Sequence, residues 1–317
     1  MRRLPLAIAS TVLAGACASG AHHAARTTKP APVVTATAGI ATSSTEPHTP
    51  RHPGVCGSSA PPPAHYAHVV VIMEENRRWP DVGGPGFNAM PYLHSLTRSC
   101  AYYTQWNETN AAQSSLTQYI GITSGVDNPA TVNDCSPSVS CRSTDDNIFR
   151  QVRASHGAAR AFVEGATSGC SAAGNAVKHV PALYYFGNDD RSFCDMEVRP
   201  LTELDVDHLP TFAMITPNLC DDGHDCGNSN VDSWLSVHLA AILRGADYRA
   251  GTTAVFVCYD EDRPVPNLVV APTARPGPIS SMVASHSAAL HTWEEMLGVP
   301  VLPSVQQVAS LRDSAHV

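Results

Sequence analysis

Two apolar runs far apart in the chain show no polar alternation, and both stop at carboxylates. His68-Val69-Val70-Val71-Ile72-Met73 ends at Glu74-Glu75-Asn76, and Thr253-Ala254-Val255-Phe256-Val257-Cys258-Tyr259 ends at Asp260-Glu261-Asp262. Short, β-branched, unalternating runs predict parallel strands buried on both faces. Further buried strands are expected over 158–163, 209–215 and 267–271, and helical spacing predicts helices over 90–97, 147–156, 231–243 and 287–297. This alternation points to an α/β fold, a three-layer sandwich with a mostly parallel central sheet. In such sheets the ligand crevice lies at the carboxyl ends of the strands. If the two acid-tipped strands are neighbours, Glu75, Asn76, Asp260 and Glu261 converge as a cluster of oxygen donors, and such a cluster needs a cation.

The N-terminus has a different pattern. Arg2 and Arg3 precede an apolar stretch over 4–14 and then small residues around Cys17. This reads as an export signal, too short to span a bilayer as a mature helix. Leu13-Ala14-Gly15-Ala16-Cys17 resembles a bacterial lipobox, which would lipidate Cys17 and attach the protein to a membrane; Ala14-Gly15-Ala16 also fits ordinary signal cleavage and free secretion. Residues 18–64, rich in Ala, Thr, Ser and Pro without period, read as an extended tether. One catalytic domain is expected over 65–317.

Composition narrows the function. A net charge of −8 and 6% aromatic residues exclude a basic stripe or a base-stacking platform, so no nucleic-acid partner is expected. The cysteines beyond Cys17 suit an oxidising destination. Close spacing pairs Cys135 with Cys141 and Cys220 with Cys226. Cys56, Cys100, Cys170 and Cys194 remain for two further bridges, and Cys258, inside the second apolar strand, is the odd thiol.

Polar residues that could act on a substrate lie between the acidic strands. Ser115, in Gln113-Ser114-Ser115-Leu116-Thr117-Gln118-Tyr119, stands at a loop-to-helix junction, where helix N–H groups favour an incoming anion such as phosphate. His179 follows in the run starting at Lys178. His224-Asp225 lies between Cys220 and Cys226, where a bridge would rigidify the loop leaving a strand, and His286 comes last.

In this order the stretches VVVIMEEN, QSSLTQYIGITSG, KHVPALYYF, LPTFAMITPNLCDDGHDC, VDSWL, AVFVCYDED and SHSAALHTWEEMLG resemble one bacterial phosphoesterase family. That family groups secreted acid phosphatases with phosphatidylcholine-type phospholipases C on an alkaline-phosphatase-like fold. The resemblance implies a phosphoric-ester hydrolase acting through a phosphoserine on Ser115. It implies a divalent metal (Mg, Ca, Mn or Zn) on Glu75, Asn76, Asp260 and Glu261. His179 and His224 would serve as catalytic groups, and Gln118, Asp225 and His286 would line the phosphate. The chain departs from the family's His-Pro-Ser-x-Pro-Asn-Tyr motif: Gln113, Ser114, Thr117 and Gln118 replace His, Pro, Pro and Asn. A phospholipase C activity and a catalytically silent surface protein are the alternative expectations.

Overall fold

The computed structural model describes residues 54–317 except 110–113, 168 and 172–176. The export signal, Cys17, most of the tether and Gln113 therefore lie outside the described residues. Among those described, ten strands form: β1 (His68–Glu74), β2 (Ala101–Tyr103), β3 (Trp106–Asn107), β4 (Ala159–Val163), β5 (Val198–Pro200), β6 (Phe212–Thr216), β7 (Thr253–Tyr259), β8 (Asn267–Val270), β9 (Gly277–Ile279) and β10 (Ala284–Ser285). Eight of them make one sheet in the order β5-β4-β6-β1-β7-β8-β2-β9, and β10 pairs with β3 apart from it.

The two acid-tipped strands are direct parallel neighbours, in register from His68 opposite Thr253 to Glu74 opposite Tyr259. β6 lies on the other side of β1 and β4 beyond it, both parallel. β8 alone runs antiparallel, between β7 and β2. Its apolar run could not reveal direction, because a strand buried on both faces reads alike either way. β1, β6 and β7 are buried almost throughout, which accounts for their lack of alternation.

Helices fall into two packed groups. Pro91–Thr97 packs on Asn228–Arg244, whereas Ser115–Ser124 and Ile148–Ala154 pack against His286–Leu297, which lies on β1. The layers expected from the alternation are thus present. Each expected helix and strand forms, with ends shifted by up to three residues. The short strands β2, β5 and β9 had no run long enough to announce them. Four disulfides form, Cys56–Cys100, Cys135–Cys141, Cys170–Cys194 and Cys220–Cys226, and Cys258 is a buried free thiol in β7. Bridges of this number suit an extracellular protein.

Candidate active site

At the carboxyl ends of β1 and β7 the backbones stay paired past the last residue of β1. The Asp260 N–H donates to the Glu74 carbonyl at 3.1 Å. The Asn76 N–H donates to Asp260 Oδ1 at 3.0 Å. Asn76 takes a positive φ of 48°, a conformation that asparagine tolerates better than most residues. Glu75 and Asp260 are thereby brought together with no exposure to solvent.

Three further elements converge on Glu75. Ser115, the first residue of the helix Ser115–Ser124, donates its hydroxyl proton to Glu75 Oε2 at 3.0 Å. Ser114 occupies the N-cap, and Gly125, at φ 69°, closes the helix in the left-handed conformation that glycine adopts most readily. His179, at the end of the short 3₁₀ turn Val177–His179, sets its Nε2 3.2 Å from Glu75 Oε1. The Tyr119 ring stacks on this imidazole at 4.9 Å between centroids and fixes its plane.

The loop between Cys220 and Cys226 supplies Asp222, which composition did not single out although it stands two residues before His224. The Asp222 carbonyl accepts from the Glu75 N–H at 2.8 Å. Its Oδ2 lies 3.2 Å from His179 Nδ1, and its Oδ1 accepts from the His224 N–H at 2.8 Å. With Nδ1–H donated to Asp222, the lone pair of His179 stays on Nε2, directed at the Glu75 carboxylate. A carboxylate that fixes the tautomer of an imidazole in this way is a familiar support for a metal-binding histidine. Gly223, at φ 95°, lets the chain reverse between Asp222 and His224. Arg77 ties the loop down, donating to the carbonyls of Gly223 and Cys226 and to Asn228 Oδ1.

The charge balance of this cluster is one-sided. Glu74, Glu75, Asp222 and Asp260 are all fully buried. Burial, then the charges of Asp260 and Asp222, hold the Glu75 carboxyl well above its ordinary pKa. Burial raises Asp260 as well, against the Asn76 N–H and the His179 ring. Glu261, less buried, is pushed up to about 8 by burial and by Asp260, Asp262 and Asp134. Glu75 Oε1, His179 Nε2 and Asp260 Oδ2 are buried without a hydrogen-bond partner. Ligand atoms of Glu75, His179 and Asp222 all lie within 4.8 Å of one another. Converging carboxylates and one imidazole, with unpartnered acceptors, fit a hard or borderline divalent cation. Glu75, Asp260 and His179 Nε2 would hold it, with Asp222 orienting His179.

The remaining expected residues take different places. His224 lies beside the cluster, its ring 5.9 Å from that of His179, with Nδ1 paired to Asp225 at 2.7 Å; the Asp225 side chain is largely exposed. Gln118 is buried and accepts from the Thr109 N–H at 2.9 Å. Both ring nitrogens of His286 meet the backbone: Nδ1 accepts from the Thr109 N–H and Nε2 donates to the Tyr259 carbonyl. Burial lowers its pKa to about 4. His286 is therefore a neutral brace behind the Asp260 turn in this arrangement.

No protein-family model matches the chain. The phosphatidylinositol-3-phosphatase of Mycobacterium tuberculosis is 27% identical over 259 residues, covering 78% of this chain and 81% of that protein. Among solved structures, a protein in the alkaline phosphatase superfamily from Vibrio parahaemolyticus superposes with a TM-score of 0.57 at 12% identity, over 76% of this chain and 68% of its own. Ps i-CgsB superposes with a TM-score of 0.52 at 11% identity, over 80% of this chain and 76% of its own. The fold is alkaline-phosphatase-like, with a mostly parallel central sheet.

Proposed function

We propose that this protein is a metal-dependent phosphoric-ester hydrolase, acting on phosphomonoesters through a phosphoserine on Ser115. The observation that carries the reading is the Ser115 hydroxyl bonded to a carboxylate that also faces an unpartnered imidazole nitrogen. The similarity to a phosphatidylinositol-3-phosphatase supports phosphate esters as substrates and a phosphatase rather than a phospholipase C.

A bound divalent cation would neutralise phosphoryl charge and favour the serine alkoxide. The protein's own groups do the rest. Glu75 orients the Ser115 Oγ and accepts its proton. Ser115 begins a helix, so its attack occurs at the positive end of the helix dipole. Asp222 and Tyr119 keep His179 in one tautomer and plane. His224, partly exposed beside the cluster and paired through Nδ1 with Asp225, is placed near enough to meet a leaving oxygen. Gln118 and His286 hold Thr109 and the Asp260 turn beside the site.

Residues 1–17 are read as an export signal and 18–64 as a tether, with attachment through a lipidated Cys17; mass spectrometry of the mature N-terminus tests this. The activity is tested by hydrolysis of nitrophenyl phosphate across acidic to neutral pH, with and without chelator, on the native protein and Ser115→Ala. Activity lost to both treatments supports the reading. Hydrolysis of a choline phosphodiester alone would instead favour the phospholipase, and silence toward all esters a non-catalytic surface protein.

A further inference from the structure

A second constellation borders the cluster and has no part in holding the cation. Lys178, the residue before His179, sets its Nζ 3.0 Å from Asp134 Oδ2 and 3.3 Å from His224 Nε2. Asp134 uses its other oxygen to accept the Leu116 N–H, in the first turn of the Ser115 helix, at 2.9 Å. One carboxylate thus ties the start of the nucleophile helix to an ammonium. The Lys178 side chain keeps 18% of its exposure, so the ammonium borders the buried cluster without being fully buried itself. It is near enough to Glu75 and Asp260 to feel both.

Charge arithmetic gives this ammonium a purpose. The carboxylates of Glu75, Asp222 and Asp260 together exceed the charge of one divalent cation, which would only partly neutralise them. A phosphomonoester approaches as a dianion and meets that residual negative charge, whereas a phosphodiester carries one charge and meets less of it. An ammonium has three N–H donors, and Asp134 and His224 occupy two directions. We infer that Lys178, positioned by Asp134, binds the non-bridging phosphoryl oxygens and selects dianionic phosphomonoesters over monoanionic phosphodiesters. This rests on the phosphoesterase reading above.

The test measures kcat and KM for nitrophenyl phosphate and bis-nitrophenyl phosphate, and competitive inhibition by inorganic phosphate, in the native protein and in Lys178→Gln, Lys178→Arg and Asp134→Asn. Thermal melts check that each variant folds. Lys178→Gln is expected to lower kcat/KM for the monoester about 10- to 100-fold, to leave the diester within about threefold, and to weaken phosphate inhibition to match the monoester loss. Lys178→Arg should restore part of the monoester rate, since it keeps the charge. Asp134→Asn should raise the monoester KM more than it lowers kcat, because the ammonium remains but is no longer held. Equal losses on both esters, or unchanged phosphate inhibition in a folded Lys178→Gln protein, would overturn the inference and leave the hydrolase reading standing. A native protein inactive on both esters would remove both.

Discussion

Ser115 donates its hydroxyl proton to Glu75, 3.0 Å away, from the first turn of a fully buried helix. Ser115→Ala should therefore reduce phosphomonoesterase activity by at least about a thousandfold, as loss of a covalent nucleophile does. The melting temperature should hardly change, because alanine suits the first turn of a helix. Stopped assays with nitrophenyl phosphate check the first statement and calorimetry the second; a fully active Ser115→Ala protein would falsify the nucleophile assignment.

Glu75 trades stability for function. Its folded pKa is raised well above 4.5 by burial and by Asp260 and Asp222, so in metal-free protein its contribution to stability is lost as pH rises through that value. Chelated Glu75→Gln should then melt higher than the chelated native protein at neutral pH, while losing activity. In the native protein a divalent cation at a hundred times its Kd should raise the melting temperature by about 5–10 °C. No shift with Mg, Ca, Mn or Zn would argue against the cation site.

Asp222 fixes the His179 tautomer without offering a free oxygen of its own. Asp222→Asn is expected to weaken metal affinity by about 10- to 100-fold. At saturating metal most of the activity should return, which separates an orienting group from a ligand. Titration of activity against metal concentration reads both numbers.

Glu294, in the helix His286–Leu297, accepts the Leu302 N–H through Oε1 while its Oε2 is buried without a partner. Burial raises its pKa to about 7. Between pH 4.5 and 7 the folded protein binds more protons there than the unfolded chain, so this group's contribution falls as pH rises through the window. Glu294→Gln should raise the melting temperature at pH 8 by about 2–4 °C, what roughly 1 kcal/mol makes in a protein of this size, and change it little at pH 4. An equal effect at both pH values would show that ionisation is not the cause.

The strand ends were the most legible part of the site. Two unalternating apolar runs with carboxylates at their C-termini are enough to forecast parallel pairing and an acidic crevice, and β1 and β7 do pair directly. Bridge partners at short spacing, Cys135–Cys141 and Cys220–Cys226, were equally open to reading, because short loops leave few alternatives. The direction of β8 and the edge strands were not.

Asp222, Asp134 and Tyr119 became visible only with the loops in place. Each lies in a stretch whose local pattern is that of an ordinary turn or helix, and each acts through a partner dozens of residues away. Asp222 meets His179 across 43 positions, and Lys178 meets Asp134 across 44. Conversely, His286 looks like any site histidine in sequence, yet its nitrogens are taken up by Thr109 and Tyr259. The layered α/β fold and the acids at its strand ends are written into the chain locally, since burial periodicity and strand termination are properties of short segments. Which histidine faces the acids, which carboxylate orients it and where the ammonium sits were decided only by the tertiary structure. Those depend on how loops dock over the sheet edge, and docking is set by contacts between residues with no shared local pattern.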